Sequence, residues 1–145
     1  MTEQNRKLAE RWFEEVWNRK NETIIDQIMA PNAIGHMEGV EVVGPQEFKN
    51  VRTALLKAFP DLQVTVDATA TDADVVVARW RASGTHRGPL FGIEATDTQV
   101  TFRGMTWFVI KQGKLVEGWD AWNQGALTEY LRVAPEASVT RKPSR

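Results

Sequence analysis

Up to Pro60, hydrophobic residues recur at the spacing of an amphipathic α-helix, with charged residues between them. The stretch 21–29 (NETIIDQIM) predicts a second short helix that ends at Pro31. The stretch 44–60 (GPQEFKNVRTALLKAFP) predicts a third, because Pro45 suits a first helical turn and Pro60 stops a helix. The first helix is predicted from the apolar residues Leu8, Trp12, Phe13, Val16 and Trp17.

Beyond Pro60 the hydrophobic period falls to two residues, which is typical of β-strands. β-branched and aromatic residues dominate these stretches, and Asp, Gly, Asn and Thr separate them. KQGK (111–114) predicts a tight hairpin turn between two strands. A short extended segment is predicted at 32–44 and a last helix at 123–131 (NQGALTEYL). The long strands are predicted within 62–70, 74–88 and 98–122.

This order of elements predicts an α+β domain, because helices come first and a strand meander follows. A curved antiparallel sheet with helices on its concave side would enclose a pocket. Residues 1–132 form this single domain in our interpretation. The remainder, 133–145, carries Pro, Ser and basic residues without an apolar period and is predicted to be a disordered tail.

The composition is that of an ordinary globular protein, and it argues against several classes of function. Hydrophobic residues make up 42% and charged residues 26% of the chain, and the formal net charge is −1. That balance gives no reason to expect nucleic acid or a membrane surface as partner. No apolar run is long enough to span a bilayer, and the amphipathic start lacks a signal-peptide core, so a cytoplasmic location is expected.

Few residue types remain that could carry chemistry. The chain has no cysteine, hence no thiolate ligand or nucleophile, and its two histidines are His36 and His86. Neither an H-E-x-x-H metal spacing nor a glycine-rich nucleotide loop occurs. We therefore expect no metal and no cofactor, and chemistry that uses carboxylates, imidazoles, arginines and aromatic walls.

Three stretches together resemble the SnoaL-like polyketide cyclase family, which is part of the nuclear-transport-factor-2-like superfamily of cone-shaped α+β proteins. They are 30–39 (APNAIGHMEG), 84–93 (GTHRGPLFGI) and 100–131 (VTFRGMTWFVIKQGKLVEGWDAWNQGALTEYL). The resemblance implies a conical pocket, metal-free acid–base chemistry and a homodimer formed through the outer sheet face.

In the cyclases of that family, an aspartate on the last strand is the general acid/base of an intramolecular aldol ring closure. The resemblance places Asp120 at that position. The chain departs from the family pattern at Gly118, where a histidine is common, and at Asn123, where an aspartate is common. The ending EYL (129–131) replaces the usual Gln-Leu-Gly.

Asp120 lies in the last predicted strand, between two tryptophans. Burial would raise its pKa from about 3.9 toward neutrality and make it useful as a proton shuttle. The alternative is an edge aspartate that caps the following helix. Strand alternation groups Val116, Gly118, Asp120 and Trp122 on one face, and Leu115, Glu117, Trp119 and Ala121 on the other.

His86, His36 and Arg103 are the other polar candidates. His86 would donate a hydrogen bond to a substrate carbonyl or partner Asp120, and the alternative is a strand-end histidine bonded to a loop. His36 lies at the rim of the pocket or in solvent. Arg103 either points inward to bind a carboxylate or an enolate, or points outward to pair with Glu117, which we favour.

Six tryptophans are a high number for 145 residues. Trp12 and Trp17 belong to the first helix and are predicted to be core. Flat aromatic walls suit a planar ligand, and core packing or a dimer interface explains them equally well. The four tryptophans of the sheet, which we consider as substrate-binding, are Trp80, Trp107, Trp119 and Trp122.

Three functions fit these features. The first is an enzyme that transfers a proton beside a carbonyl of a small apolar or aromatic substrate, such as a cyclase or isomerase. Asp120 and His86 would then be catalytic, and His36, Arg103 and the sheet tryptophans would bind substrate. The second is a non-catalytic module that binds a hydrophobic ligand or dimerises, which the departures at 118 and 123 favour. The third is an oligomerising domain whose pocket is filled by its own tryptophans.

Overall fold

The structure, a computed structural model, describes residues 2–133. The helices are α1 (Thr2–Arg11), the π-helical segment Trp12–Asn18 that continues it, α2 (Thr23–Ile28), α3 (Gly44–Ala58) and α4 (Gln124–Val133). The strands are β1 (Met29–Met37), β2 (Val40–Val43), β3 (Gln63–Asp72), β4 (Val75–Thr85), β5 (Gln99–Lys111) and β6 (Lys114–Trp122). The predicted tail lies outside the described residues, apart from Val133, which ends α4.

One curved, unclosed sheet contains all six strands, in the order β2-β1-β6-β5-β4-β3. This confirms the predicted α+β class. β3 to β6 form the predicted antiparallel meander, and Gln112 and Gly113 make the hairpin turn with positive φ angles of 53° and 74°. The segment predicted as a short extended stretch is instead a hairpin, and β1 pairs parallel to β6.

The helices of the first half pack on one face of this sheet, called the inner face below. Of the apolar residues predicted for the first helix, Trp12, Phe13 and Val16 are buried. Leu8 and Trp17 are partly buried, and Trp17 lines the cavity described below. The Phe13 ring meets Phe108 of β5 edge-on, with 5.7 Å between the ring centroids. On the opposite, outer face of the sheet, Met105, Trp107 and Trp119 are exposed.

Arg52 fastens α3 to the end of the π-helical segment. Its side chain is buried, and its Nε donates a hydrogen bond of 2.9 Å to the Val16 carbonyl. A carbonyl at the end of a helix lacks an intrahelical donor, so the guanidinium supplies one. Desolvation lowers the pKa of Arg52, and the nearby Glu22 carboxylate partly offsets this.

A β-bulge at Val116 changes the phase of β6. Glu117 pairs with Val109, but Ile110 pairs with Leu115, so Val116 has no opposite residue. Leu115 is consequently buried on the inner side, where strict alternation predicted it to face outward. The prediction was wrong for Leu115 because period-two counting does not anticipate an inserted residue.

Candidate functional site

A cavity lies between the inner face of the sheet and the N-terminal helices. Its volume is about 100 Å³. A single water molecule needs roughly 10–15 Å³ of such space, so the cavity has room for several waters or a small organic molecule. Every strand and α3 contribute to its wall, and the lining is almost wholly aliphatic and aromatic. Among the described lining residues, Asp120 contributes the charged side chain and Thr106 the hydroxyl group.

Three side chains form a hydrogen-bonded chain that ends at Asp120. The indole Nε1–H of Trp80 donates to Thr106 Oγ1 at 2.9 Å. The Thr106 hydroxyl in turn donates to Asp120 Oδ1 at 2.6 Å. Because the indole can only donate, the threonine proton must point at the carboxylate. The chain therefore fixes the orientation of Asp120 and leaves its Oδ2 without a donor among the described residues.

Burial raises the pKa of the Asp120 carboxyl. Part of the residue's surface faces the cavity, but protein atoms closely surround the carboxyl group, and this desolvation disfavours its charged form. The Thr106 hydrogen bond opposes the shift by favouring the charged form, and the negative charge of Glu38 adds to it. The result is a carboxyl group that holds its proton more strongly than an exposed aspartate.

The phase of β6 explains why Asp120 faces inward. Past the bulge, alternation is unbroken, and Gly118, Asp120 and Trp122 all line the cavity, as predicted. The alternative that Asp120 caps the last helix does not apply. Asn123 caps it instead, because its Oδ1 accepts the Ala126 N–H at 2.9 Å.

Trp80 and Trp122 form part of the aromatic wall around Asp120. Both line the cavity, and Phe102 packs between them, 4.9 Å from the Trp122 ring and 6.3 Å from the Trp80 ring. Gly104 permits this packing, because a Cβ there would come within 2.6 Å of Trp122 Cβ and 2.8 Å of the Trp80 ring. Of the four sheet tryptophans, these two are positioned to meet a ligand in the cavity.

His86 shares the inner face of β4 with Trp80, as predicted, but it does not line the cavity. It is fully buried at the strand end, where the Thr96 N–H donates to its Nδ1 at 3.2 Å and the Thr96 hydroxyl lies 3.0 Å away. Nδ1 is thus an acceptor and the ring is neutral. Burial lowers the pKa of His86, and the nearby Gly88 backbone partly offsets this. The contacts match the alternative of a strand-end histidine bonded to a loop.

His36 lies on the outer face of the sheet, not at the rim of the cavity. Its Nδ1 is 2.6 Å from Glu41 Oε2 and its Nε2 is 2.7 Å from Glu117 Oε2. Its ring stacks on Trp119 with a centroid distance of 4.6 Å. The Glu117 hydrogen bond is the largest cause that raises the pKa of His36, and Glu41 adds to it.

Arg103, Trp107 and Trp119 also point outward. Trp107 and Trp119 are opposite each other on β5 and β6 and are 47% and 41% exposed. Arg103 is exposed and makes no ion pair within residues 2–133. The predicted pairing with Glu117 was wrong, because the register sets Glu117 opposite Val109, six residues from Arg103. None of these three side chains lines the cavity that contains Asp120.

Thr106 is the site residue that sequence reasoning missed. It sits directly opposite Asp120 in the β5–β6 register, and a hydroxyl facing a carboxylate across two strands is a favourable pair. Counting back from the hairpin turn at 111–114 would have placed it near Asp120, apart from the one-residue shift that the bulge introduces. Glu38, in the β1–β2 turn, gave no signal in the sequence.

No three acidic or histidine side chains within 2–133 come together as potential metal ligands. No helix in that range is long and apolar enough to cross a bilayer.

Comparison with known proteins agrees with this fold. A family model described as SnoaL-like polyketide cyclase matches residues 7–131. The chain belongs to the SnoaL-like polyketide cyclase family. Among curated proteins, none matches the chain. Family membership and fold together support a small-molecule enzyme of the cyclase or isomerase type.

Several solved structures share the fold of this SnoaL-like chain. A Jannaschia sp. CCS1 protein, provisionally described as a SnoaL-like polyketide cyclase, has 23% identity and a TM-score of 0.87 over 92% of this chain and 95% of its own. AclR from Streptomyces galilaeus, provisionally described as a hydroxylase, has 27% identity and a TM-score of 0.81 over 93% and 100%. TsrD from Streptomyces laurentii has 22% identity and a TM-score of 0.80 over 90% and 96%.

Proposed function

We propose that this SnoaL-like protein catalyses proton transfer beside a carbonyl of a small apolar or aromatic substrate, such as a ring closure or an isomerisation. The observation that carries the proposal is the Asp120 carboxyl, held by Thr106 in an otherwise apolar cavity. In such a cavity a hydrophobic substrate would be buried next to a single group that can transfer a proton. The family's chemistry supports the same assignment by resemblance.

Asp120 would act as the general acid and base. In its charged form Oδ2, the oxygen that Thr106 does not hold, takes a proton from the carbon next to the carbonyl. In its protonated form it returns a proton to oxygen or carbon of the product. A raised pKa suits both steps, because a carboxyl group with a raised pKa is a stronger base when charged and keeps a proton available to return to higher pH. A positioned carboxylate of this kind contributes roughly 10²–10⁴-fold in rate.

Substrate orientation would come from the aromatic wall. Trp80, Phe102 and Trp122 present ring faces or edges near Asp120, which suits a planar aromatic substrate. We assign no catalytic role to His86, whose Nδ1 is occupied by Thr96. His36, Arg103, Trp107 and Trp119 likewise have no part in substrate binding in this proposal.

Exchange of a carbon-bound proton tests the proposal without knowledge of the natural substrate. Ethyl benzoylacetate, an aromatic β-keto ester, is incubated with the protein in D₂O under mildly acidic conditions, and loss of its α-proton signal is followed by NMR. We expect catalysed exchange with the wild type and with Asp72→Asn, an exposed carboxylate on β3, and none with Asp120→Asn.

Exchange that survives in Asp120→Asn would overturn the assignment of Asp120. Binding of the ester by wild type and Asp120→Asn alike, without catalysed exchange in either, would instead favour the non-catalytic module. The nearly uniform apolar lining is the observation on which that second function rests.

We further propose that two copies associate through their outer sheet faces. Met105, Trp107 and Trp119 leave a large apolar area uncovered at the centre of that face. Arginines lie toward β4 and glutamates toward β2, so a two-fold axis that runs parallel to the strands near the tryptophan pair would set opposite charges against each other. The charged residues are Arg79, Arg81 and Arg103 on one side and Glu41 and Glu117 on the other.

Sedimentation velocity of the purified protein tests this association. We expect a dimer for the wild type and for Phe91→Lys, an exposed aromatic residue on a loop, and a monomer for Trp107→Lys. A monomeric wild type, or a Trp107→Lys protein that stays dimeric, would contradict the proposed interface. A cytoplasmic location stays a prediction from the sequence.

A further inference from the structure

The β1–β2 turn reaches across to the end of β6, beside Asp120. Glu38 occupies this turn, and its Oε2 accepts the backbone N–H of Trp122 at 3.2 Å. Ladder pairing between β1 and β6 ends at His36 and Trp119, so the backbones no longer bond beyond that point. The Glu38 side chain therefore links the hairpin to β6 beyond the last pair of residues joined through the backbone.

The residues next to this contact form the edge of the cavity. Met37, which precedes Glu38, lines the cavity. Trp122, whose backbone N–H donates to Glu38, lines it as well. Both are half-buried, whereas lining residues at the other end, such as Phe108 and Leu115, are buried. Met37 and Trp122 thus form one of the half-buried parts of the cavity wall, and a ligand entering there would pass between the hairpin tip and the end of β6. The Glu38–Trp122 hydrogen bond holds these two edges together.

Glu38 also acts on Asp120 through its charge. Asp120 lies two residues before Trp122 on the same strand, and the Glu38 carboxylate contributes to raising the pKa of Asp120. Glu38 itself is exposed to solvent. A negative charge on Glu38 disfavours a second negative charge on the desolvated Asp120 nearby, so Asp120 keeps its proton more strongly.

We propose that Glu38 is a positioning residue of the Asp120 site, which fastens the β1–β2 hairpin over the cavity mouth and sets the charge that Asp120 experiences. The inference rests on the proposed function only for its catalytic meaning. Its physical content, a fastened hairpin and a coupled pair of carboxylates, stands without any turnover.

Two substitutions separate the charge of Glu38 from its hydrogen bond. Glu38→Gln removes the charge and keeps an oxygen that can accept the Trp122 N–H, whereas Glu38→Ala removes both. Glu94→Gln, an exposed glutamate on the loop after β4, is the matched control. Because Glu38 lies in an exposed turn, all three variants are expected to fold, which circular dichroism verifies.

The first readout is the titration of Asp120, followed by carboxyl-carbon NMR. We expect a lower pKa of Asp120 in Glu38→Gln and in Glu38→Ala than in wild type, and no change in Glu94→Gln. The second readout is the association rate of ethyl benzoylacetate, followed by stopped-flow quenching of tryptophan fluorescence. Loss of one hydrogen bond predicts association about three- to tenfold faster in Glu38→Ala, with Glu38→Gln near wild type.

Each readout can overturn the inference on its own. An Asp120 pKa that does not move in Glu38→Gln removes the electrostatic coupling, and a Glu38→Ala rate equal to that of Glu38→Gln removes the fastening role. Neither result depends on turnover. Failure of α-proton exchange in the wild type, with both Glu38 effects present, would refute the proposed catalysis and leave the role of Glu38 intact.

Discussion

Replacement of Thr106 by valine is expected to destabilise the protein, because two polar groups lose their hydrogen-bond partner. Valine keeps the shape of the side chain but removes the hydroxyl that accepts from Trp80 and donates to Asp120. The buried indole N–H then lacks an acceptor, which costs about 1–3 kcal/mol, and the carboxylate loses a hydrogen bond to a charged group worth about 1.5–3 kcal/mol. The added apolar contact of the valine methyl offsets part of this, so we expect a net loss of about 3 kcal/mol at pH values where Asp120 is charged in the folded protein.

The loss should grow with pH. Asp120 has a folded-state pKa above its unfolded value, so the folded state keeps a proton that the unfolded state releases, and stability falls as the pH rises through the folded pKa. Thr106 lowers that pKa, so Thr106→Val raises it further. The difference from wild type is therefore smallest below the ordinary aspartate range and largest above the folded pKa of Asp120.

Urea unfolding over this pH range measures the effect, with a fall in Tm of roughly 10 °C above the folded pKa of Asp120 as a second readout. Thr106→Ser keeps the hydroxyl and should retain most of the stability. Thr101→Val, at an exposed position of the same strand, should change it by less than about 0.5 kcal/mol. A Thr106→Val protein as stable as Thr106→Ser, or a loss that does not vary with pH, would refute the hydrogen-bonded chain.

Three further substitutions have defined outcomes. Gly104→Ala places a Cβ against Trp122 and should cost about 1–3 kcal/mol in urea unfolding and weaken binding of ethyl benzoylacetate; unchanged binding would show that the rings near Asp120 can move freely. Two glutamates raise the pKa of His36, so its contribution to stability is present below about pH 6.5 and is lost as the pH rises through the folded pKa. His36→Gln should remove that pH dependence. Thermal melts of His36→Gln over this pH range that still show the dependence would refute the pairing. Asn123→Ala removes the cap at Ala126 and should lower the free energy of unfolding by about 0.5–2 kcal/mol, with Asn123→Asp as the variant that retains it.

The inward position of Asp120 could be predicted from sequence because alternation from Glu117 to Trp122 is unbroken. Leu115, three residues before Gly118, could not, because the bulge at Val116 depends on how β5 and β6 pair. A bulge is a property of two strands together, and neither strand alone marks it.

The positions of the two histidines relative to the cavity could not be predicted from sequence for a related reason. His86 faces inward as alternation predicts, but Phe59 lies between it and Phe102, with ring centroid distances of 5.8 Å on each side, and the cavity ends there. His36 is placed on the outer face by parallel pairing with β6, a partner more than eighty residues away in sequence. Strand partners and the extent of a cavity are long-range properties, so periodicity within one stretch does not specify them.

The place of β6 in the sheet also has a consequence for synthesis of the chain. β6 separates β1 from β5, so the N-terminal hairpin has no strand to join until nearly the whole domain has left the ribosome. β3, β4 and β5 can pair as they emerge, since each follows its neighbour in sequence, whereas the β1–β6 pairing closes a long loop and is slow to form. We therefore expect Asp120 and Glu38 to come together late in folding, and a nascent chain stalled before β6 to expose the apolar lining of the cavity to chaperones and aggregation.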